Sequence, residues 1–354
     1  MSKKQFTAKK FIIFSGILGL FLVLVPVLLV IIIDPFFMYH KPLDGFPYKV
    51  DNQLSQNAGM AKTFEYDSIL TGSSMVSNFD LDKFDEILGK KVVKLNYNGA
   101  YPKDLSNILE YVFDHKDKVD TVFYGMDVYS FNADTSEIKF PIPEYLYDDR
   151  LLNDVSYLFN KDVLIQYIIE PLTWPSEKTE LSKVYMMEYA DAEYSRERVL
   201  EHFTPNYAEP LSDEEYAKRI ENVNNNLDEN LLVYVEAHPE TEFVIFYPPY
   251  SILYWYNRIT ENKLELSLEE YLLITKRLLE YENVHVFCFS GCEDYVTDLG
   301  NYVDYIHQHS RVNDYIAECL CNGENELTPD NYEEIIRNMF SLFADYDYAG
   351  NFGL

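Results

Sequence analysis

Three short stretches of this chain hold residues that could transfer an acyl group. Gly72-Ser73-Ser74-Met75 places a serine hydroxyl in a tight turn at the end of a short apolar run, just before a helix whose amides could stabilise an oxyanion. Far downstream, Asn301-Tyr302-Val303-Asp304-Tyr305-Ile306-His307 sets a carboxylate three residues before an imidazole, a spacing that lets the acid orient the ring from a short turn. A serine hydroxyl is a poor nucleophile until a base takes its proton, and the base works best when a carboxylate fixes its tautomer. Ser74, His307 and Asp304 are therefore the candidate triad. In Asn96-Tyr97-Asn98-Gly99-Ala100, the glycine lets a backbone N–H approach a ligand closely. The amides of Ser74 and Gly99 are the candidate oxyanion donors read from these stretches.

Each stretch also has a plainer reading. Serine is among the favoured helix N-caps, so Gly-Ser-Ser alone could be only a cap. The Asn98-Gly99 pair could be an ordinary turn. Asp127, in Tyr124-Gly125-Met126-Asp127, could orient a loop, cap a helix or join the site. His309 competes with His307 but stands five residues from Asp304 and begins the following helix.

The elements that must carry these residues alternate. Residues 67–71, 91–95 and 119–124 read as buried strands, and residues 79–88 and 104–113 as amphipathic helices between them. Residues 132–240 break the rhythm: Pro141, Pro143, Pro171 and Pro175 punctuate short helical stretches, and a polar helix is expected over 213–238, so the segment reads as a helical insertion. Strands at 242–247 and 284–289 then flank a helix at 268–281, with Ser267 and Glu270 expected as its capping box. Such alternation predicts a mostly parallel sheet covered on both faces, a three-layer α/β/α fold with its site beyond the carboxyl ends of the strands.

Residues 11–33 are 23 consecutive uncharged, mostly apolar residues, which at helical rise span about 34 Å against a hydrocarbon core of about 30 Å. They read as one uncleaved transmembrane signal anchor, since a cleaved signal has a shorter apolar region and a small-residue cleavage site. Lys3, Lys4, Lys9 and Lys10 precede the run and Asp34 follows it, so a cytoplasmic tail (1–10), the anchor (11–33), a turn-rich linker (34–61) and an extracellular catalytic domain (62–354) are expected. The chain as a whole has a formal net charge of −30, which disfavours nucleic acid as a partner. Cys288, Cys292, Cys319 and Cys321 allow three disulfide pairings, with buried thiols as the alternative; a zinc site using His285, Cys288 and Cys292 lacks the usual paired spacing, and neither metal nor other cofactor is expected.

Taken in this order, the motifs resemble those of the SGNH hydrolase superfamily, the GDSL-like esterases. The resemblance rests on Gly72-Ser73-Ser74, Gly99 and Asp304-Tyr305-Ile306-His307 and covers residues 50–345. It implies a flavodoxin-like SGNH fold with Ser74 as nucleophile. Gln56-Asn57-Ala58-Gly59, residues 94–100 and Phe246-Tyr247-Pro248-Pro249-Tyr250-Ser251 look like those of membrane-anchored members in Gram-positive bacteria, similar in layout to the accessory protein of teichoic acid D-alanylation. Two departures stand out: Ser73 replaces the familiar Asp, and the family's Gly-x-Asn-Asp falls at Gly125-Met126-Asp127-Val128, which lacks the oxyanion asparagine, so that Asn98 or Asn96 must substitute or only backbone donors remain. Two functions follow. One is a cell-membrane, extracytoplasmic serine esterase or O-acyltransferase acting on acyl esters of cell-envelope glycans. The other is a non-catalytic accessory subunit that binds glycan or acyl carrier beside a multi-spanning membrane acyltransferase. A scaffold without cleft chemistry is the third possibility.

Overall fold

Five short apolar runs become parallel strands: β1 (Ser68–Gly72), β2 (Val92–Lys94), β3 (Thr121–Gly125), β4 (Glu242–Tyr247) and β5 (Val284–Cys288). Every residue of β1, β2 and β3 is buried, which is why they read as continuous apolar runs rather than as alternation. A two-residue strand, β6 (Glu326–Leu327), pairs antiparallel with β5 and was not expected, since two residues carry no period. The sheet order is β2-β1-β3-β4-β5-β6. The computed structural model describes residues 8–174, 180–186 and 194–354. Lys3, Lys4 and most of the expected cytoplasmic tail, and Pro175, lie outside the described residues.

Two compact units divide the chain, Met1–Phe64 with Ile142–Glu180, and Glu65–Pro141 with Leu181–Leu354. In the first, α1 (Ala8–Ile33) is long and apolar enough to cross a membrane, as a span or a signal segment, with Pro26 inside it. Asp34 then turns the chain: its carboxylate accepts from the amides of Met38 (3.0 Å), Tyr39 (2.6 Å) and His40 (3.0 Å) and from Tyr157 Oη (2.9 Å). The expected linker contains a helix, α2 (Gln53–Thr63), because Asn52 accepts from the Ser55 amide (3.1 Å) while Gln56 reaches back to the Asn52 amide (2.9 Å). Gly59 allows α2 to touch the chain leaving α1, since a Cβ there would lie 1.8 Å from the Phe36 carbonyl.

In the second unit the sheet is flanked by α3 (Leu81–Leu88), α4 (Pro102–His115), α5 (Asp213–Leu227), α6 (Ile252–Thr260), α7 (Leu264–Leu278), α8 (Ser310–Asn322) and α9 (Tyr332–Asp345). The result is a three-layer α/β/α body. Phe79, Phe84, Phe123, Phe246, Phe289 and Ile316 meet in the core on one face of the sheet. The capping box expected at Ser267 is absent: α7 begins a turn earlier, Ser267 Oγ instead accepts from Arg258 Nε (2.9 Å), and Glu270 is buried against Asn132 Nδ2 (2.6 Å). Tertiary partners outcompeted the local cap.

Candidate active site

The order β2-β1-β3 reverses the direction of winding between β1 and β3, and in open α/β sheets ligands bind outside the carboxyl ends of the strands at such a point. Gly72 ends β1 opposite Gly125 of β3. Gly72 has φ of +151°, and a Cβ on it would lie 2.7 Å from the Gly125 carbonyl; a Cβ on Gly125 would lie 2.4 Å from Val76 Cγ1. Both glycines are therefore needed for the short 3₁₀ turn Ser74–Val76 to fold back over the strand ends. The two serines divide the roles expected of one: Ser73 Oγ caps the turn by accepting from the Met75 amide (3.2 Å), leaving Ser74 Oγ to point elsewhere.

Ser74 Oγ lies 2.9 Å from His307 Nε2, and His307 Nδ1 lies 2.7 Å from Asp304 Oδ2. The other carboxylate oxygen of Asp304 accepts from the amides of Ile306 and His307, each at 2.7 Å. Burial acts to raise the Asp304 carboxyl, but the His307 ring and these amides outweigh it, so it sits below its ordinary value and stays ionised. A carboxylate at Nδ1 requires the ring proton there, which leaves Nε2 to accept from the serine. His309 is not part of the line: it caps α8, its Nδ1 accepting from the Arg311 amide at 3.0 Å.

Gln308, which the sequence reading passed over, ties the histidine loop to the serine turn. Its Nε2 donates to the Met75 carbonyl (3.0 Å) and to Asn313 Oδ1 (2.8 Å). From the other side, Ser251 Oγ donates to the Tyr305 carbonyl (2.6 Å) and Tyr302 Oη to the Pro249 carbonyl (2.8 Å). No local pattern marks these residues, because the contact by which each ties one loop to another is made with a neighbour distant in the chain. Lys94 is another: fully buried, it donates to the carbonyls of Ser77 (2.6 Å), Phe79 (2.7 Å) and Val184 (2.9 Å), holding the chain just beyond Ser74. Burial pulls its amine down to about 7, against the charge of Asp80.

Gly99 has φ of +71°, and its α-carbon faces the aliphatic stem of Lys139. Asn98 and Gly99 are exposed at the end of β2. Asn96 is buried, and its amide donates to the Ser73 carbonyl (3.1 Å) and Ser77 Oγ (2.8 Å), so it serves the turn rather than an oxyanion. Ser77 Oγ in turn donates to Asn98 Oδ1 (2.8 Å), which fixes that side chain and makes Asn98 the better of the two candidates. Asp127 is buried behind the turn, bonded to the Ser73 hydroxyl and to Tyr250 Oη. Burial pushes its carboxyl up, against those two bonds and the charge of His307.

A cleft of roughly 1080 Å³ is lined by Tyr101, Tyr129, Asn132, Glu137, Glu214 and Arg219 among others. Tyr129 connects it to the site through an edge contact with Tyr250 (centroids 6.2 Å apart). All four cysteines are free, and burial pushes the Cys288 thiol up to about 12 and Cys292 up to about 11. His285 does not join the thiols: its ring faces Glu326 (3.0 Å) and Glu242 (3.2 Å). Among the described residues no group of three or more His, Cys, Asp or Glu side chains is placed to hold a metal ion.

No protein-family model matches the chain, and no curated protein matches it. A solved structure from Streptococcus pneumonia, provisionally described as a platelet activating factor, is similar at 14% identity, with 77% of this chain and 90% of that chain covered and a TM-score of 0.36.

Proposed function

We propose that the protein is a membrane-tethered, extracytoplasmic serine esterase or O-acyltransferase of SGNH type, with a flavodoxin-like sheet and Ser74, His307 and Asp304 as its triad. The observation that carries this reading is the unbroken line from Ser74 Oγ through His307 to Asp304, with contacts of 2.9 and 2.7 Å. Ser74 Oγ attacks the acyl carbonyl as His307 Nε2 takes its proton. The amides of Ser74 and Gly99 and the Asn98 side chain face the developing oxyanion. Collapse breaks the ester C–O bond, and His307 returns the proton to the leaving alcohol. The acyl-enzyme then passes its acyl group to water or to a sugar hydroxyl, the first outcome being esterase and the second transferase chemistry. No step calls for a cofactor. Tyr101 and Tyr129 in the lining of the cleft suit a cell-envelope glycan, since aromatic faces stack on sugar rings.

In this reading α1 is the anchor, its basic N-terminal flank cytoplasmic and the rest of the chain extracellular. A fluorophosphonate probe tests the chemistry: labelling at Ser74, found by peptide mass spectrometry and abolished in Ser74→Ala and His307→Ala, is the expected result. Folded protein that does not label would overturn it. One observation favours the rival reading, a non-catalytic accessory subunit beside a multi-spanning acyltransferase. The resemblance puts an asparagine where this chain has Asp127, and that residue is buried and bonded to Ser73 and Tyr250. Absence of labelling together with binding of glycan or acyl carrier is what that rival expects.

A further inference from the structure

Residues 151–174, within the unit that contains α1, expose a run of large apolar side chains. Leu152 is 93% exposed and Trp174 78%, and Phe159, Ile165, Ile169 and Leu172 are also exposed. Helical turns run almost without break from Lys161 to Thr173. Ile165, Ile169 and Leu172 recur at i, i+4 and i+7, so they form one stripe, while Val163, Tyr167 and Ile168 turn inward and are buried. An amphipathic helix normally buries its apolar side; this one buries one apolar side and presents another. Contiguous exposed apolar patches of this kind mark an interaction surface.

The height of the segment identifies what covers it. The helices Val155–Leu158 and Lys161–Leu164 and the turn Ile165–Ile169 pack on α1. Along α1 only Val25, Pro26, Val27, Val30 and Ile33 lose exposure, all within its last nine residues, about 13 Å of helix. Just beyond, Phe36 stacks on Tyr157 (centroids 5.2 Å apart) and meets Tyr167 edge-on (5.0 Å). If the apolar run of α1 crosses a hydrocarbon core of about 30 Å, those last nine residues lie at its outer boundary, and so does whatever packs on them. The stripe thus lies on turns that pack against α1, whose own apolar side chains are exposed along most of its length. Trp174 stands at its end, the residue type that settles at the headgroup level.

We propose that residues 151–174 lie in the outer leaflet of the membrane that α1 crosses, with the Ile165-Ile169-Leu172 stripe among the acyl chains and Trp174 at the headgroup boundary. The chain then holds the bilayer by two elements, a spanning helix and an interfacial one. This rests on α1 being an uncleaved anchor, and is independent of whether Ser74 is a nucleophile.

Tryptophan fluorescence of the full-length protein in liposomes of phosphatidylcholine and phosphatidylglycerol tests it. The chain has two tryptophans, and the other, Trp255, is buried at 1% exposure. Lipids brominated just below the headgroup are expected to quench the native protein, lipids brominated near the chain ends to quench it less, and Trp174→Phe to remove the quenchable component. Trp174 is so exposed that this variant leaves the fold intact. Emission that no brominated lipid quenches while aqueous acrylamide does would overturn the proposal, placing the segment in water. Shielding from both quenchers in native membranes, with a photocrosslink from position 174 to another protein, would also overturn it, in favour of a protein partner. Resistance to alkaline carbonate extraction reports on α1 separately: a chain that extracts defeats the anchor and this proposal together, whereas one that resists extraction without lipid quenching defeats this proposal alone.

Discussion

An alcohol beside an imidazole becomes a nucleophile only if the ring holds its proton on the far nitrogen, and in the proposed mechanism that work falls on Asp304. Its two oxygens accept from His307 Nδ1 and from two backbone amides. In Asp304→Asn, one oxygen can keep the amides while the new NH₂ faces Nδ1, forcing the ring proton onto Nε2, where Ser74 needs an acceptor. Fluorophosphonate labelling of Ser74 is expected to slow by about 10⁴-fold with the fold intact. Equal labelling rates in the two proteins would show that the carboxylate does not set the tautomer. At the same scale, the pairing of Asp304 with His307 was legible in the sequence because it spans three positions. The choice between Asn96 and Asn98 was not legible, because it depends on Ser73 and Ser77 engaging the Asn96 amide while Ser77 fixes Asn98.

At the scale of elements, the site depends on how closely β1 and β3 approach at their carboxyl ends. Gly125 leaves room for Val76, and with it for the turn that begins at Ser74. Gly125→Ala must push Val76 aside and carry the turn with it. Because displacement by about an ångström can cost 10²-fold in rate, labelling of Ser74 is expected to fall by about that much. Circular dichroism should show the sheet retained; labelling at the parent rate would mean that the turn is not held by this contact. The strands themselves were readable as apolar runs bounded by turn residues. The helix α2 was not, since its place depends on Gly59 meeting the Phe36 carbonyl, a contact across more than twenty residues.

At the scale of the whole molecule, the formal charge of −30 makes ionisation a matter of stability as well as of chemistry. Glu270 is one acid subject to this, because it is buried where α7 meets Asn132, whose Oδ1 accepts from Arg219 of α5 (2.8 Å). Burial pushes its carboxyl up from 4.5 to about 7, against the charge of Arg258, the Asn132 bond and the charge of Arg219. Between those values the folded chain holds a proton that the unfolded chain has released, so this group makes stability fall as pH rises from 4.5 to about 7. Glu270→Gln keeps an acceptor for Asn132 and cannot ionise. It is expected to flatten that slope and to be more stable than the parent by about 3 kcal/mol above neutral pH. Urea unfolding at mildly acidic and mildly alkaline pH checks this; an unchanged slope would assign the pH dependence to other groups.

What the amino-acid order determined alone is what acts over a few residues. The 23-residue apolar run, the alternation of strand and helix, and the three-position spacing of Asp304 and His307 all belong to this class. Hydrophobic period and turn chemistry are local, so they survive without knowledge of the rest of the chain. What only the tertiary structure decided is which partner a side chain meets once the chain is packed: Ser74 meeting His307 across 233 residues, Gln308 pinning that meeting, Lys94 reaching three carbonyls, and Ser267 taking Arg258 instead of a helix end. Such contacts depend on chain segments being brought together by burial of a shared core, and a side chain's partner is then set by geometry that no window of sequence contains.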